Sequence, residues 1–401
     1  MKALHIYAGA AARAHIAQHG LRPQDVGVIP GAAGGPKGLI LGPLDRYLFG
    51  QWLPQSSQPI DLVGASIGAW RMATACLDNS VAAFERLERD YISQDYEVEP
   101  GRSFPSPKHV SAGFGQSLEA FFGGQVDALL NHPRYKLHII TSRGRHILKR
   151  EGRALSKLST PLGFLGAFAS NAVQRSAMGA WLERVVFSAQ HAPLPFATTD
   201  YRTRHVALNA HNFQQALQAS CSIPFVLEAI HNIPGAPRGA YWDGGLTDYH
   251  LHLLYNTHKT IANNDHMTVT SGSKTLNSAE TTHLADTPSP APASAPPASA
   301  PLVLYPHFQQ SVVPGWLDKS LKWRHRSSAA LDHMVLLAPN PDWIKTLPHA
   351  KLPDRQDFKF HGRDLKARVA HWTTAVGESK RLVDEFDGLL HQPLDNFVFD
   401  L

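Results

Sequence analysis

The chain has 401 residues, 43% of them hydrophobic and 18% charged, a balance that excludes disorder along the whole length and leaves room for a large domain with attachments. Its 38 Lys and Arg against 33 Asp and Glu give a formal charge of +5, too weak over this length to imply nucleic acid but compatible with transient contact with an anionic membrane surface. Two cysteines, Cys76 and Cys221, exclude a disulfide framework, and no apolar run reaches the roughly 18 residues that a membrane-spanning helix needs.

The first residues, Met1-Lys2-Ala3-Leu4-His5-Ile6-Tyr7, lack an apolar stretch of signal-peptide length, so the expectation is a cytoplasmic protein, at most peripheral at a membrane. Residues 25–30 and 60–65 are short apolar runs that end in glycine-rich turns, and residues 136–141, 184–188 and 205–208 read as further strands. Between them, residues 39–52 and 69–91 read as helices. Apolar strands alternating with helices predict an α/β fold with a mostly parallel sheet covered on both faces. Residues 155–187 carry apolar side chains among few charges, with Phe164 and Phe168, and Met178 and Leu182, four apart as on a helical face. Two readings stay open there: core packed on the sheet, or a lid that meets lipid. Residues 261–301 turn rich in Ser, Thr, Ala and Pro, a composition that predicts a flexible linker or loop. Beyond it, residues 302–305 and 334–338 read as strands and 362–386 as a long helix. The expected division is therefore 25–260, 261–301 and 302–401, the last piece either an extension or the completion of the first domain's sheet.

Three turns carry candidate chemistry. Gly31-Ala32-Ala33-Gly34-Gly35-Pro36-Lys37-Gly38 follows a strand and opens a helix, where glycines bring backbone N–H groups close to an anion. It is not a nucleotide loop, because Pro36 and Gly38 replace the second glycine and the hydroxyl residue of that motif. Gly64-Ala65-Ser66-Ile67-Gly68 also joins a strand to a helix; such a turn presents serine on a strained elbow, the plain alternative being a capping hydroxyl. Ala240-Tyr241-Trp242-Asp243-Gly244-Gly245 offers a carboxylate at a tight turn, which alone would be an ordinary Asp-Gly turn.

In that order the three turns resemble the patatin-like phospholipase family, over about residues 25–255. Ala219-Ser220-Cys221-Ser222-Ile223-Pro224 is similar to that family's Ala-Ser-x-x-x-Pro block near the acyl pocket. Ala33 and Lys37 stand where the family often has glycine and arginine. The resemblance implies a patatin-like three-layer α/β/α fold and a lipid ester as substrate. It implies Ser66 as nucleophile on an elbow flanked by Gly64 and Gly68, and Asp243, followed by Gly244 and Gly245, as its base. Gly34, Gly35, Lys37 and Gly38 would form the oxyanion hole, Pro36 having no N–H to give. The 23 histidines follow no metal spacing, and His250 and His252 lack a third ligand, so neither metal nor cofactor is expected. Two other readings remain: a Ser-Asp-His esterase using one of His250, His252 or His307, and a non-catalytic membrane-surface binder.

Overall fold

The computed structural model describes residues 1–98, 100–102, 105–150, 156–255 and 301–401, with residues 156–159 described by their backbone alone. All of the expected linker before residue 301 lies outside the described residues. Among the described residues eleven strands form one sheet: β1 (Leu4–Ala8), β2 (Val26–Gly31), β3 (Ile60–Ala65), β4 (Tyr135–Gly144), β5 (Leu182–Ser188), β6 (Thr203–Ala207), β7 (Ile230–His231), β8 (Ala240–Asp243), β9 (Leu302–Pro306), β10 (Met334–Pro339) and β11 (Val398–Asp400). Their order is β11-β1-β10-β9-β2-β3-β4-β5-β6, with β8 beside β4 and β7 beside β8. From β10 to β4 every neighbouring pair is parallel. The antiparallel pairs are β1 with β10, β4 with β5, and β8 with β4 and β7. With helices on its sides the sheet makes a three-layer α/β/α fold, as the alternation of elements led one to expect.

The strands β2, β9 and β10 are buried along their whole length, which is why they read as continuous apolar runs and not as alternating ones. Residues 39–52, expected as one helix, divide into a 3-10 segment Gly35–Leu41, an α-helix Gly42–Tyr47 and a π-turn Leu48–Trp52. Pro43 opens the α-helical part, where a missing N–H is harmless. Residues 69–91 are two helices, Ile67–Ala75 and Ser80–Ile92; the Asn79 side chain accepts from Ala82 N at 3.2 Å and starts the second. The expected C-terminal helix likewise breaks at Ser379 into Leu365–Glu378 and Lys380–Leu390.

The apolar stretch 155–187 contains the helix Ser156–Val173, which has one buried and one exposed apolar side. Phe164, Ala167, Met178 and Leu182 are buried in a small core with Leu148, Tyr201 and Trp242. On the other side Leu162, Leu165 and Val173 are 58%, 62% and 88% exposed, and Phe168 is also open to solvent.

Candidate active site

The register of one strand explains the site. Along β4, residues 135–140 pair with β3, ending at Ile140 opposite Ala65. The next residue, Thr141, pairs with Asp243 at the end of antiparallel β8. Thus β3 and β8 run toward each other in the same lane beside β4, and their ends meet. Ser66 leaves one end and Asp243 the other, although 177 residues separate them, and Ser66 Oγ donates to Asp243 Oδ2 at 2.7 Å. The other oxygen, Oδ1, accepts from Gly245 N at 2.7 Å, which fixes the carboxylate's rotation.

Ser66 has φ 56 and ψ −131, a left-handed backbone that costs a residue with a Cβ about 1–3 kcal/mol. The small neighbours make the elbow possible: a Cβ on Gly64 would lie 2.4 Å from Ala69 Cα, and one on Gly68 would lie 1.8 Å from Gly31 O. Ser66 N donates to Ser220 Oγ at 2.9 Å, Ser220 Oγ donates to Ile140 O at 2.7 Å, and Asp243 N donates to Ser222 O at 2.9 Å. The Ala219-Ser220 block therefore buttresses both sides of the pair. Behind the elbow, buried Arg71 grips buried Asp45 with two 2.7 Å hydrogen bonds, tying the helix Ile67–Ala75 to the helix Gly42–Tyr47.

The glycine loop runs beside Ser66 because β2 and β3 are parallel neighbours whose ends lie together, with Gly31 opposite Gly64. Ala33 N donates to Tyr249 O, so this loop is stitched to the turn that follows Asp243. Gly34 and Lys37 line an open cleft of ≈ 200 Å³ with Ser66, Asp243, Gly245, Ile223 and Pro224. Gly35 lies against the Arg355 side chain, and Gly38 packs on Ile67. Gly244 sits against Ile140 O.

Burial raises the Asp243 pKa above the ordinary carboxylate value, against the Ser66 hydrogen bond, the Arg355 charge, the Gly245 N–H and the Lys319 charge, which all pull it down. Lys319 is pushed down to about 7 by burial and by the neighbouring Arg355 and Lys37 charges. Its ammonium lies 3.8 Å from the Tyr249 ring centroid. Burial also lowers the Lys37 pKa.

Sequence reasoning did not find Tyr249, Trp316, Lys319, Asp354, Arg355 and Gln356, which complete the cleft wall. No local motif announces them. Trp316 and Lys319 are delivered by Asp318, which is fully buried and accepts from Asn171, Arg175 and Arg324 at 2.8, 3.1 and 2.9 Å. Arg175 also donates to Thr247 O at 2.6 Å, so one cluster of charges locks residues 316–319 to the Asp243 turn.

The histidines considered for a triad lie elsewhere. His250 Nδ1 engages Ser311 O and Val313 N, His252 spans Val312 O and Ser328 Oγ, and His307 Nδ1 contacts Gln309. Among the described residues, no histidine lines the cleft.

A family model described as patatin-like phospholipase matches residues 34–251, more than half of the chain. Comparison with curated proteins gives no match. Among the described residues, no helix is long and apolar enough to cross a membrane.

Proposed function

The chain belongs to the patatin-like phospholipase family, lipid acyl hydrolases, and from that premise we propose that it cleaves carboxylic esters of lipids by a Ser66–Asp243 dyad through an acyl-enzyme. The observation that carries the proposal is the 2.7 Å hydrogen bond from Ser66 Oγ to Asp243 Oδ2 at the floor of the cleft. Ser66 Oγ attacks the ester carbonyl as Asp243 takes its proton. Collapse of the tetrahedral intermediate breaks the bond to the leaving alcohol, which receives that proton from Asp243. Water then gives a proton to the same carboxylate and attacks the acyl carbon, and the proton returns to Ser66 Oγ as the acid departs. The raised pKa of Asp243 makes it a better base for a hydroxyl than an exposed carboxylate would be.

The oxyanion needs N–H groups that no helix ladder consumes. Gly34 caps the 3-10 segment Gly35–Leu41, so Gly34 N and Gly35 N precede its first i to i−3 bond, Pro36 has no N–H, and those of Lys37 and Gly38 point into the ladder. Gly34 and Gly35 are therefore the donors of this loop, joined by Ile67 N at the start of the helix behind the nucleophile. The Lys37 side chain contributes positive charge to the cleft wall.

The exposed apolar face of Ser156–Val173 supports contact with a lipid surface. Phe164 on its inner side meets the Phe225 ring at 5.9 Å, and Phe225 and Val226, both exposed, follow directly on the cleft residues Ile223 and Pro224. An apolar rim thus adjoins the opening through which an acyl chain would enter. Residues 302–401 are read as part of the same catalytic unit, since β9 and β10 pair within the sheet and Trp316, Lys319 and residues 354–356 line the cleft.

A fluorophosphonate ester tests the proposal. It should form a covalent adduct on the peptide bearing Ser66, and both labelling and hydrolysis of p-nitrophenyl esters should vanish in a folded Ser66→Ala variant. Labelling at another residue, or hydrolysis that survives Ser66→Ala, would overturn it.

A further inference from the structure

On the C-terminal side of the cleft wall stand three histidines that the proposed chemistry does not use. His349 lies in the turn Pro348–Ala350, His361 ends the helix Gln356–His361, and His371 lies in the helix Leu365–Glu378. One ring nitrogen from each falls within 4.8 Å of the other two. His361 Nε2 and His371 Nδ1 are 3.2 Å apart, and the His349 and His371 ring centroids are 4.4 Å apart. We propose that His349, His361 and His371 form a binding site for a divalent transition metal ion, Zn²⁺ first among them, which pins the segment carrying Asp354, Arg355 and Gln356 to the cleft.

The distances suit that ion. Two nitrogens bound tetrahedrally at about 2.0–2.1 Å from zinc stand roughly 3.4 Å apart, close to the separation that His361 and His371 already have. The third nitrogen needs to close by about 1.5 Å at most, and His349 is exposed, so its ring can turn to do so. Nothing else claims the buried His371 ring: its other nitrogen, Nε2, makes no hydrogen bond. The nearby carboxylate of Asp357 is engaged already, by Lys351 Nζ at 2.6 Å, Asp354 N at 2.9 Å and Trp372 Nε1 at 2.9 Å. Three imidazoles with lone pairs converging, no free carboxylate among them and one ligand open to solvent describe a nitrogen-donor site with room for a water.

The backbone pays a conformational cost to bring them together. His349 and Ala350 have φ 56 and 53, two consecutive left-handed residues with side chains, a conformation that such residues adopt only under constraint. Gly362, φ 54, reverses the chain immediately after His361 and aims the next helix back at it. Strain gathered around one cluster fits a ligand that repays it on binding.

The full chain, stripped with a chelator and dialysed against Zn²⁺, should retain a single tightly bound equivalent by elemental analysis, and its melting temperature should rise with Zn²⁺. Loss of one ligand should weaken binding by about 100-fold or more, since even outer-sphere changes cost about 10–100-fold. His349→Ala decides the matter if His371→Ala fails to fold, because His349 is exposed. His391→Ala, outside the cluster, should bind like the wild type. A Co²⁺ complex should show tetrahedral visible absorption that His361→Ala abolishes. Absence of a bound equivalent, or binding and spectrum unchanged in His349→Ala and His361→Ala, would overturn the site. None of these readouts depends on ester hydrolysis, so they stand or fall apart from the dyad.

Discussion

Asp243→Asn separates catalysis from stability. The carboxylate is buried, accepts from Ser66 Oγ and Gly245 N at 2.7 Å each, and has its pKa raised by burial above the unfolded value. A raised carboxylate pKa means that its stabilising contribution is full below the unfolded pKa and lost as pH rises through the folded one. Above its folded pKa the ionised group therefore weakens the fold. Asparagine has the same shape: its oxygen can keep the Gly245 N–H, and its NH₂ can donate to Ser66 Oγ. The melting temperature above the folded pKa should be at or above that of the wild type, and the advantage should fade as pH falls and the wild-type carboxyl becomes neutral as well. Turnover should fall by about 10²–10⁴, the usual contribution of a general base, because an amide takes no proton. Hydrolysis of a soluble p-nitrophenyl ester and thermal melts above and below that pKa measure the two effects. Turnover within about tenfold of wild type would refute the base assignment, and a markedly lower melt above the folded pKa would refute the account of its burial.

Wild-type turnover should rise with pH as Asp243 deprotonates through its raised pKa; Lys319→Met removes a charge that pulls that pKa down, so the acid limb of the rate profile should move to higher pH. Arg71→Met leaves Asp45 buried without its partner and should cost about 3–5 kcal/mol in denaturant unfolding, with much of it regained in Arg71→Met combined with Asp45→Leu. Replacing Leu162, Leu165 and Phe168 together by serine should spare short soluble esters and the melt but weaken binding to phospholipid vesicles in sedimentation, since a large side chain fully buried in lipid contributes about 1.5–3 kcal/mol. Equal vesicle binding would exclude that face from the interface. Phe164→Ser should instead lower the melt, because Phe164 packs on Trp242 in the small core.

The turns that carry the candidate chemistry are legible in the sequence because their geometry is local. A strained elbow needs small residues at fixed offsets, so Gly64, Ser66 and Gly68 announce it, and the apolar runs of β2, β3, β4, β9 and β10 announce strands buried on both faces. A very short edge element is less visible: β11, with three residues, carries too little periodicity to be told from a loop. The break at Ser379 was hidden for a related reason, since a single serine interrupts helical propensity little; the break before Ser80 does have a local signal, the capping run Asp78-Asn79-Ser80, which the expectation of one helix over 69–91 passed over. The amphipathic pattern of residues 155–187 marks two faces, but only Trp242 and Leu148 show which one is core.

What the tertiary structure alone decided is which distant residues share a point in space. Ser66 meets Asp243 because β3 and β8 end head to head beside β4, a register written in pairing across 177 positions. Lys319 and Arg355 face the cleft because buried Asp318 and the turn before Gln356–His361 place them there. His349, His361 and His371, separated by intervals that match no short metal motif, converge only once two helices and a left-handed turn have folded back on each other. Backbone turns are encoded by the sterics of a few adjacent residues; convergence of side chains from separate elements is encoded by the packing of the whole sheet and its helices, to which every buried residue contributes and no short motif corresponds.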